Sequence, residues 1–83
     1  MRVDFEDLLT FLRAYANGPL TGSQVHTKLP EWDMRKIYRL RRYSLTEELL
    51  ELAHTAPEEP WYQMPSKHHR LTAKGQKLLK DMK

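Results

Sequence analysis

The stretch TGSQVHTKLPEWDMRKIYRLRR, residues 21–42, decides the fold. Its first part predicts a short helix, because Thr21 and Gln24 have the spacing of a capping box, in which each side chain bonds to the backbone of the other. The helix is predicted over residues 22–29, since Pro30 has no backbone N–H with which to continue it.

A second helix follows almost at once. Asp33 is a good N-cap, and Trp32 before it can pack on Ile37 one turn into the helix, so a helix is predicted over residues 33–48. Only about four residues, 29–32, then connect the two helices. So short a link forces them to pack closely at a steep angle, which is a helix-turn-helix geometry.

The second of these helices carries five cations between Arg35 and Arg42 and no acid. At about 100° per residue, Arg35, Arg39 and Arg42 fall within an arc of roughly 60°. The residues predicted for the opposite, apolar face are Met34, Ile37, Tyr38 and Leu45. A stripe of one sign is the electrostatic footprint of a helix that lies against nucleic acid.

Upstream, a helix is predicted over residues 4–17. Asp4 suits its N-cap, and acids in its first turn complement the helix dipole. The run Asn17-Gly18-Pro19 ends it.

Downstream, residues 49–71 are predicted to form a two-stranded wing. The strand is expected from Leu49 to His54, although helix is a competitor over 44–54 because Leu and Glu favour helices. Three prolines make residues 55–66 a loop or hairpin tip, and residues 67–71 the returning strand. Thr72 then caps a last helix over 73–82. The predicted fold is mainly α with a small β-hairpin: three helices, a wing and a C-terminal helix.

Composition limits the possible functions. The 83 residues are expected to form a single domain, 1–83, with a formal net charge of +3 and no cysteine. Acids near the N-terminus do not fit a signal peptide and no apolar run approaches a membrane span, so we expect a cytoplasmic protein without a membrane partner. No phosphate loop, nucleophile motif or cofactor fingerprint is present, so neither an enzyme nor a cofactor is expected.

A metal site is not expected either. His68 and His69 are adjacent, and neighbouring residues of a strand point to opposite faces. If either contacts DNA, binding should strengthen as the pH falls toward 6.

Two segments resemble a known family. The string RLTAKGQKLL, residues 70–79, is similar to the end of the wing and the start of the last helix in MarR-like and PadR-like transcription regulators. The segment Met34–Leu40 resembles their recognition helix. The resemblance implies a winged helix-turn-helix regulator that binds double-stranded DNA as a homodimer. Such a regulator is expected to repress transcription and to associate with the nucleoid through DNA.

The resemblance also implies site residues. Arg35, Lys36 and Arg39 would face base edges, since the paired acceptors of guanine suit Arg, and Arg42 would meet phosphate. The remaining candidates for the phosphate backbone are Tyr43 on the same helix, Thr21, Ser23 and Gln24 at the start of the second helix, and Lys67, His68 and Arg70 on the returning strand.

A different class of function stays open. The wing tip carries Glu58 and Glu59 where the family usually has basic residues, and Trp61 and Tyr62 follow. Such an aromatic pair more often closes the core beneath a wing. After an acidic, proline-bounded tip it would alternatively suit a winged-helix module that binds protein, an accessory or inhibitory factor without DNA binding.

Overall fold

The computed structural model describes residues 3–56 and 66–81. These residues form four helices and a two-stranded sheet, in the order α1, α2, α3, β1, β2, α4. Their bounds are Phe5–Arg13, Gly22–Lys28, Met34–Thr46, Leu50–Ala56, Ser66–Leu71 and Ala73–Asp81. This is the α+β class that the sequence predicts.

Each of the first three helices begins at the residue predicted to cap it. The Asp4 carboxylate accepts from the backbone N–H of Glu6 at 2.9 Å. Thr21 and Gln24 form both bonds of the capping box, at 3.1 and 2.8 Å. The Asp33 carboxylate accepts from the backbone N–H of Lys36 at 2.9 Å. These bonds satisfy backbone donors that a helix start leaves without partners.

α1 ends at Arg13, four residues earlier than predicted. After it the backbone tightens into bonds three residues apart, Ala14 N–H to the Phe11 carbonyl at 3.2 Å and Tyr15 N–H to the Leu12 carbonyl at 3.0 Å. Tightened last turns of this kind are common at helix ends, and they carry the Tyr15 side chain into the core.

α3 ends at Thr46, two residues before the predicted end, because the chain turns sharply there. Glu48 has φ 62°, in the left-handed region that side chains with a Cβ disfavour. The turn brings the N–H of Leu49 to the carbonyl of Ser44 at 2.7 Å. It also places Leu49 and Leu50 in the core at the start of the wing.

The uncertain segment 44–54 is therefore helix to Thr46 and strand from Leu50. β1 and β2 pair antiparallel, with Leu50 opposite Leu71 and Glu51 opposite Arg70. The register shifts between Leu52 and His54. β2 also bonds to the α1–α2 connection, through two backbone bonds of 2.9 Å between Leu20 and His69.

The core lies between the helices and the inner face of the wing. Its buried apolar residues are Leu8, Phe11, Leu12, Tyr15, Val25, Ile37, Leu40, Leu49, Leu50 and Leu71. The predicted apolar face of α3 was partly wrong, because Tyr38 is 44% exposed and Leu45 38% exposed. The buried face is centred instead on Ile37, Leu40 and Ser44.

The last helix is fixed to the base of the wing. The Thr72 hydroxyl caps α4, accepting from the N–H of Gly75 at 3.0 Å. A Cβ on Gly75 would lie 2.3 Å from the Leu49 carbonyl oxygen, so glycine permits α4 to approach this closely. The Lys74 ammonium donates to the Glu47 carbonyl at 2.9 Å.

The wing-tip residues of the sequence analysis, Glu58, Glu59, Trp61 and Tyr62, lie outside the described residues. Among residues 3–56 and 66–81, no helix has the length and hydropathy needed to cross a membrane.

Candidate nucleic-acid interface

α3 presents one unpaired basic face. Arg35, Arg39 and Arg42 are exposed, on the side opposite the buried Ile37 and Leu40. Within the described ranges, none of the three forms an ion pair. Their charges are therefore available to an anion outside the fold.

Lys36 differs from these arginines, although the sequence groups it with them. Its ammonium pairs with the Asp7 carboxylate at 3.1 Å and lies 4.2 Å from the centre of the Trp32 ring. Both contacts hold Lys36 against the protein. It connects α3 to α1 and contributes less charge to the outer face than Arg35 does.

Tyr38 and Arg41 form a feature that the sequence analysis missed. The Arg41 guanidinium lies over the Tyr38 ring, 4.6 Å from its centre. This stacking explains how Arg41 leaves the apolar side of α3 to which its helical angle assigns it. Around the helix axis, Tyr38 lies closer to the exposed Arg42 than to the buried Leu40. The sequence therefore does contain a signal for the exposure of Tyr38.

Tyr43 lies away from the exposed arginines. It is half-buried against the core and lines a groove with Phe5, Leu8, Leu49 and Leu78. This groove separates α1 from α4, with Lys74 and Lys77 at its edge. The structure thus places Tyr43 with the terminal helices and not with the basic face.

The start of α2 leaves Ser23 and part of Gln24 available. Ser23 and Gln24 are exposed and Thr21 is half-buried. The Thr21 hydroxyl and the Gln24 side-chain oxygen are both engaged in the capping box. The Ser23 hydroxyl and the Gln24 amide NH2 take no part in these bonds, and the half-buried Thr21 hydroxyl uses only its acceptor side in them.

On the wing, the three predicted residues have different surroundings. Lys67 is exposed. Arg70 pairs with Glu51 across the two strands, Nε to Oε2 at 2.7 Å, which offsets its charge. His68 stacks on His54 of β1, with ring centres 4.3 Å apart.

His69 points inward, opposite to His68, as adjacent strand residues should. It is 5% exposed, and burial lowers its pKa from the ordinary 6.5, with the charges of Arg41, Lys67 and His68 acting in the same direction. His69 is therefore neutral at physiological pH and lies away from any partner. Of the two adjacent histidines, only His68 remains a candidate for contact with DNA.

No group of three or more potential metal ligands occurs in the part of the chain that the structure describes. Within this candidate interface, the exposed cations without an ion pair among the described residues are the three arginines of α3 and Lys67 of the wing.

Comparison with solved structures identifies the fold. Bacillus subtilis PadR in complex with operator DNA matches with a TM-score of 0.83 and 18% identity, over 98% of this chain and 47% of that chain. A PadR family transcription regulator from Clostridium difficile R20291 matches with a TM-score of 0.76 and 13% identity, over 95% of this chain and 83% of that one.

The reduced form of the transcriptional regulator YodB from B. subtilis matches with a TM-score of 0.74 and 17% identity, over 90% of this chain and 69% of that one. No family model matches the sequence, and no curated protein is similar enough to it to count as a match. The chain spans about half the length of the B. subtilis PadR chain. The likeness confirms the predicted winged helix-turn-helix fold.

Proposed function

We propose that this protein is a double-stranded DNA-binding transcription regulator that places α3 in the major groove. One observation carries the proposal: Arg35, Arg39 and Arg42 are exposed on the face of α3 opposite the core, with no ion pair among the described residues. A solvated helix face usually mixes charges of both signs, which pair along the helix. Here the face carries cations alone.

The arginines have separate proposed roles. Arg35 and Arg39 lie toward the start of α3, the part of a recognition helix that contacts base edges, where each can bond to two guanine acceptors. Arg42, one turn further along, would neutralise a phosphate, as would Lys67 on the wing. Lys36 and Arg70 are left as secondary candidates, because each already has an ion pair within the protein. No DNA contact is proposed for Tyr43, which lines the groove between the terminal helices.

We further propose that the protein acts as a homodimer and represses by occupying promoter DNA. A C2 dimer presents two recognition helices to two halves of a palindromic site. The similarity to the PadR fold supports this proposal, and one solved neighbour is described in complex with operator DNA.

The test begins with selection of bound duplexes from a random library at about 150 mM salt, where specific and nonspecific binding separate. The selected duplex is then titrated with the wild-type protein and with Arg35→Ala/Arg39→Ala. Since one bidentate contact to a base contributes about 1–3 kcal/mol of discrimination, we expect the double variant to bind on the order of 100-fold more weakly.

The matched control is Arg13→Ala/Lys80→Ala, which removes the same charge from exposed positions on α1 and α4. Its affinity should stay within about threefold of wild type, because long-range charge effects are screened at this ionic strength. Equal losses in both variants, or no duplex selected at all, would contradict the proposal. In the second case a protein partner becomes the function to pursue.

A further inference from the structure

Tyr38 is an aromatic residue that the fold leaves largely uncovered. The residue is 44% exposed, although its neighbour Ile37 is fully buried. None of the side-chain hydrogen bonds in the described ranges involves its hydroxyl. The hydroxyl is thus a hydrogen-bond donor that the described fold does not use.

The ring is held on two sides. Arg41 covers one face, with its guanidinium carbon 4.6 Å from the ring centre. Gly22 lies against the ring edge, and a Cβ at that position would be 3.0 Å from Cε1 of Tyr38. The absence of a side chain at Gly22 therefore makes room for the ring, which is fixed before any ligand arrives.

These contacts place Tyr38 at the junction between α2 and α3. Gly22 is the first residue of α2. In helix-turn-helix complexes the first helix of the motif crosses the DNA backbone while the second lies in the groove. Tyr38 is also about 60° from Arg35 around the α3 axis. It therefore lies at the wall of the groove, where phosphates run, and not at its floor.

We propose that the Tyr38 hydroxyl donates a hydrogen bond to a backbone phosphate at the edge of the groove, an inference that rests on the proposed function. A hydrogen bond to an anionic oxygen is stronger than one between neutral groups. A ring with two rotatable bonds loses little entropy when it is fixed. Because phosphate contacts carry no sequence information, this bond sets the position of α3 along the duplex and not the choice of base.

The test is Tyr38→Phe, which removes the hydroxyl and keeps the ring on Arg41 and Gly22. Affinity is measured for the selected duplex and for a scrambled duplex of equal length, over a series of salt concentrations. We expect a loss of at least about tenfold on both duplexes, the size of one hydrogen bond to a charged group. The dependence on salt should not change, because a neutral hydroxyl releases no counterion.

Tyr43→Phe is the matched control, since Tyr43 is half-buried in the groove between α1 and α4. It removes the same atom from the same helix and should bind both duplexes as wild type does. Wild-type affinity of Tyr38→Phe would overturn the proposal, as would a loss confined to the selected duplex, which would mean contact with a base. Failure of the proposed function has a different signature: the wild-type protein then binds neither duplex, and this proposal falls with it.

A second variant tests the same bond without altering Tyr38. Gly22→Ala must displace the ring, so it should weaken binding to both duplexes about two- to threefold in the wild-type background. In the Tyr38→Phe background it should cause no further loss, because there is no hydroxyl to misplace. Equal losses in the two backgrounds would assign the effect of Gly22 to the α2 backbone and overturn the proposal.

Discussion

Lys36 of α3 and Asp7 of α1 form an ion pair of 3.1 Å between Nζ and Oδ2, at the edge of the face that carries the free arginines. Both side chains are more than a third exposed, so solvent screens the pair and its contribution to stability is small. Its main effect is on charge. An acid of α1 offsets the charge of Lys36, a cation at the edge of the face that carries Arg35 and Arg39.

Replacing Asp7 with Asn should therefore strengthen DNA binding. The change frees the Lys36 ammonium and removes a negative charge near the groove, for a gain of about two- to fivefold at low salt that shrinks as salt rises. Fluorescence anisotropy with the selected duplex measures it. Glu6→Gln, an exposed acid on the same helix without a described ion pair, is the control. Weaker binding by the Asp7 variant would show that the pair positions α3 for contact.

Replacing Gly75 with Ala should destabilise the fold. The new Cβ would collide with the Leu49 backbone oxygen, and backbone cannot move aside as a flexible side chain can. We expect a loss of about 1–3 kcal/mol in the free energy of unfolding, measured in urea. Gln76→Ala, at an exposed neighbouring position, should stay within about 0.5 kcal/mol of wild type. A neutral Gly75 variant would mean that α4 can shift away from the wing.

Replacing Glu48 with Gly should stabilise the fold. Glu48 has φ 62°, where glycine has no steric cost and other residues do, so we expect a gain of about 0.5–1 kcal/mol. The midpoint of thermal unfolding should rise by about 4 °C. The neighbouring Glu47 has φ −87° and gains nothing from glycine, so Glu47→Gly should lower the midpoint. If both variants lower the midpoint, the contacts of the Glu48 side chain stabilise the fold by more than its left-handed backbone destabilises it.

His69 should make the fold sensitive to acid. Burial and the nearby cations lower its pKa, so the folded protein holds the neutral ring while the unfolded chain binds a proton near pH 6.5. The contribution of His69 to the free energy of unfolding is therefore complete above pH 6.5 and is lost as the pH falls below that value. The slope from this residue is at most about 1.4 kcal/mol per pH unit. Urea unfolding between pH 7.5 and 5 measures the slope.

His69→Gln should flatten that slope relative to the wild-type protein. An unchanged slope in the His69 variant would mean that other groups cause the loss. Loss of the fold in acid would mask any strengthening of DNA binding as the pH falls toward 6. Experiments on His68 should therefore compare affinities at pH values where the fold is intact.

The helix starts could be predicted from the sequence because their causes are local. Asp4, Thr21 and Asp33 cap helices through atoms two or three residues away, and each does so in the structure. The wing register and the exit from α3 depend instead on partners distant in sequence. Glu48 has a left-handed backbone conformation. A glycine at this position would have predicted that conformation, whereas a glutamate does not.

The candidate site divides in the same way. The exposed arginines follow from helical angle alone, since the core occupies the other side of α3. The neutralisation of Lys36 by Asp7 and of Arg70 by Glu51 needs contacts 29 and 19 residues apart in sequence, which no spacing rule reveals. The position of the Tyr38 ring depends on Gly22, whose role appears only when the packing of α2 against α3 is known.

The paired backbone bonds between Leu20 and His69 have a mechanical consequence. They join the hairpin to the segment that leads into α2, so the base of the wing is held to the start of the helix-turn-helix. The wing and the helix-turn-helix would then contact a duplex as one rigid unit, and the distance between them is set when the protein folds. Binding would then cost little conformational entropy at the contact between Leu20 and His69. Weakening that contact should mainly raise the dissociation rate and so shorten the lifetime of the complex.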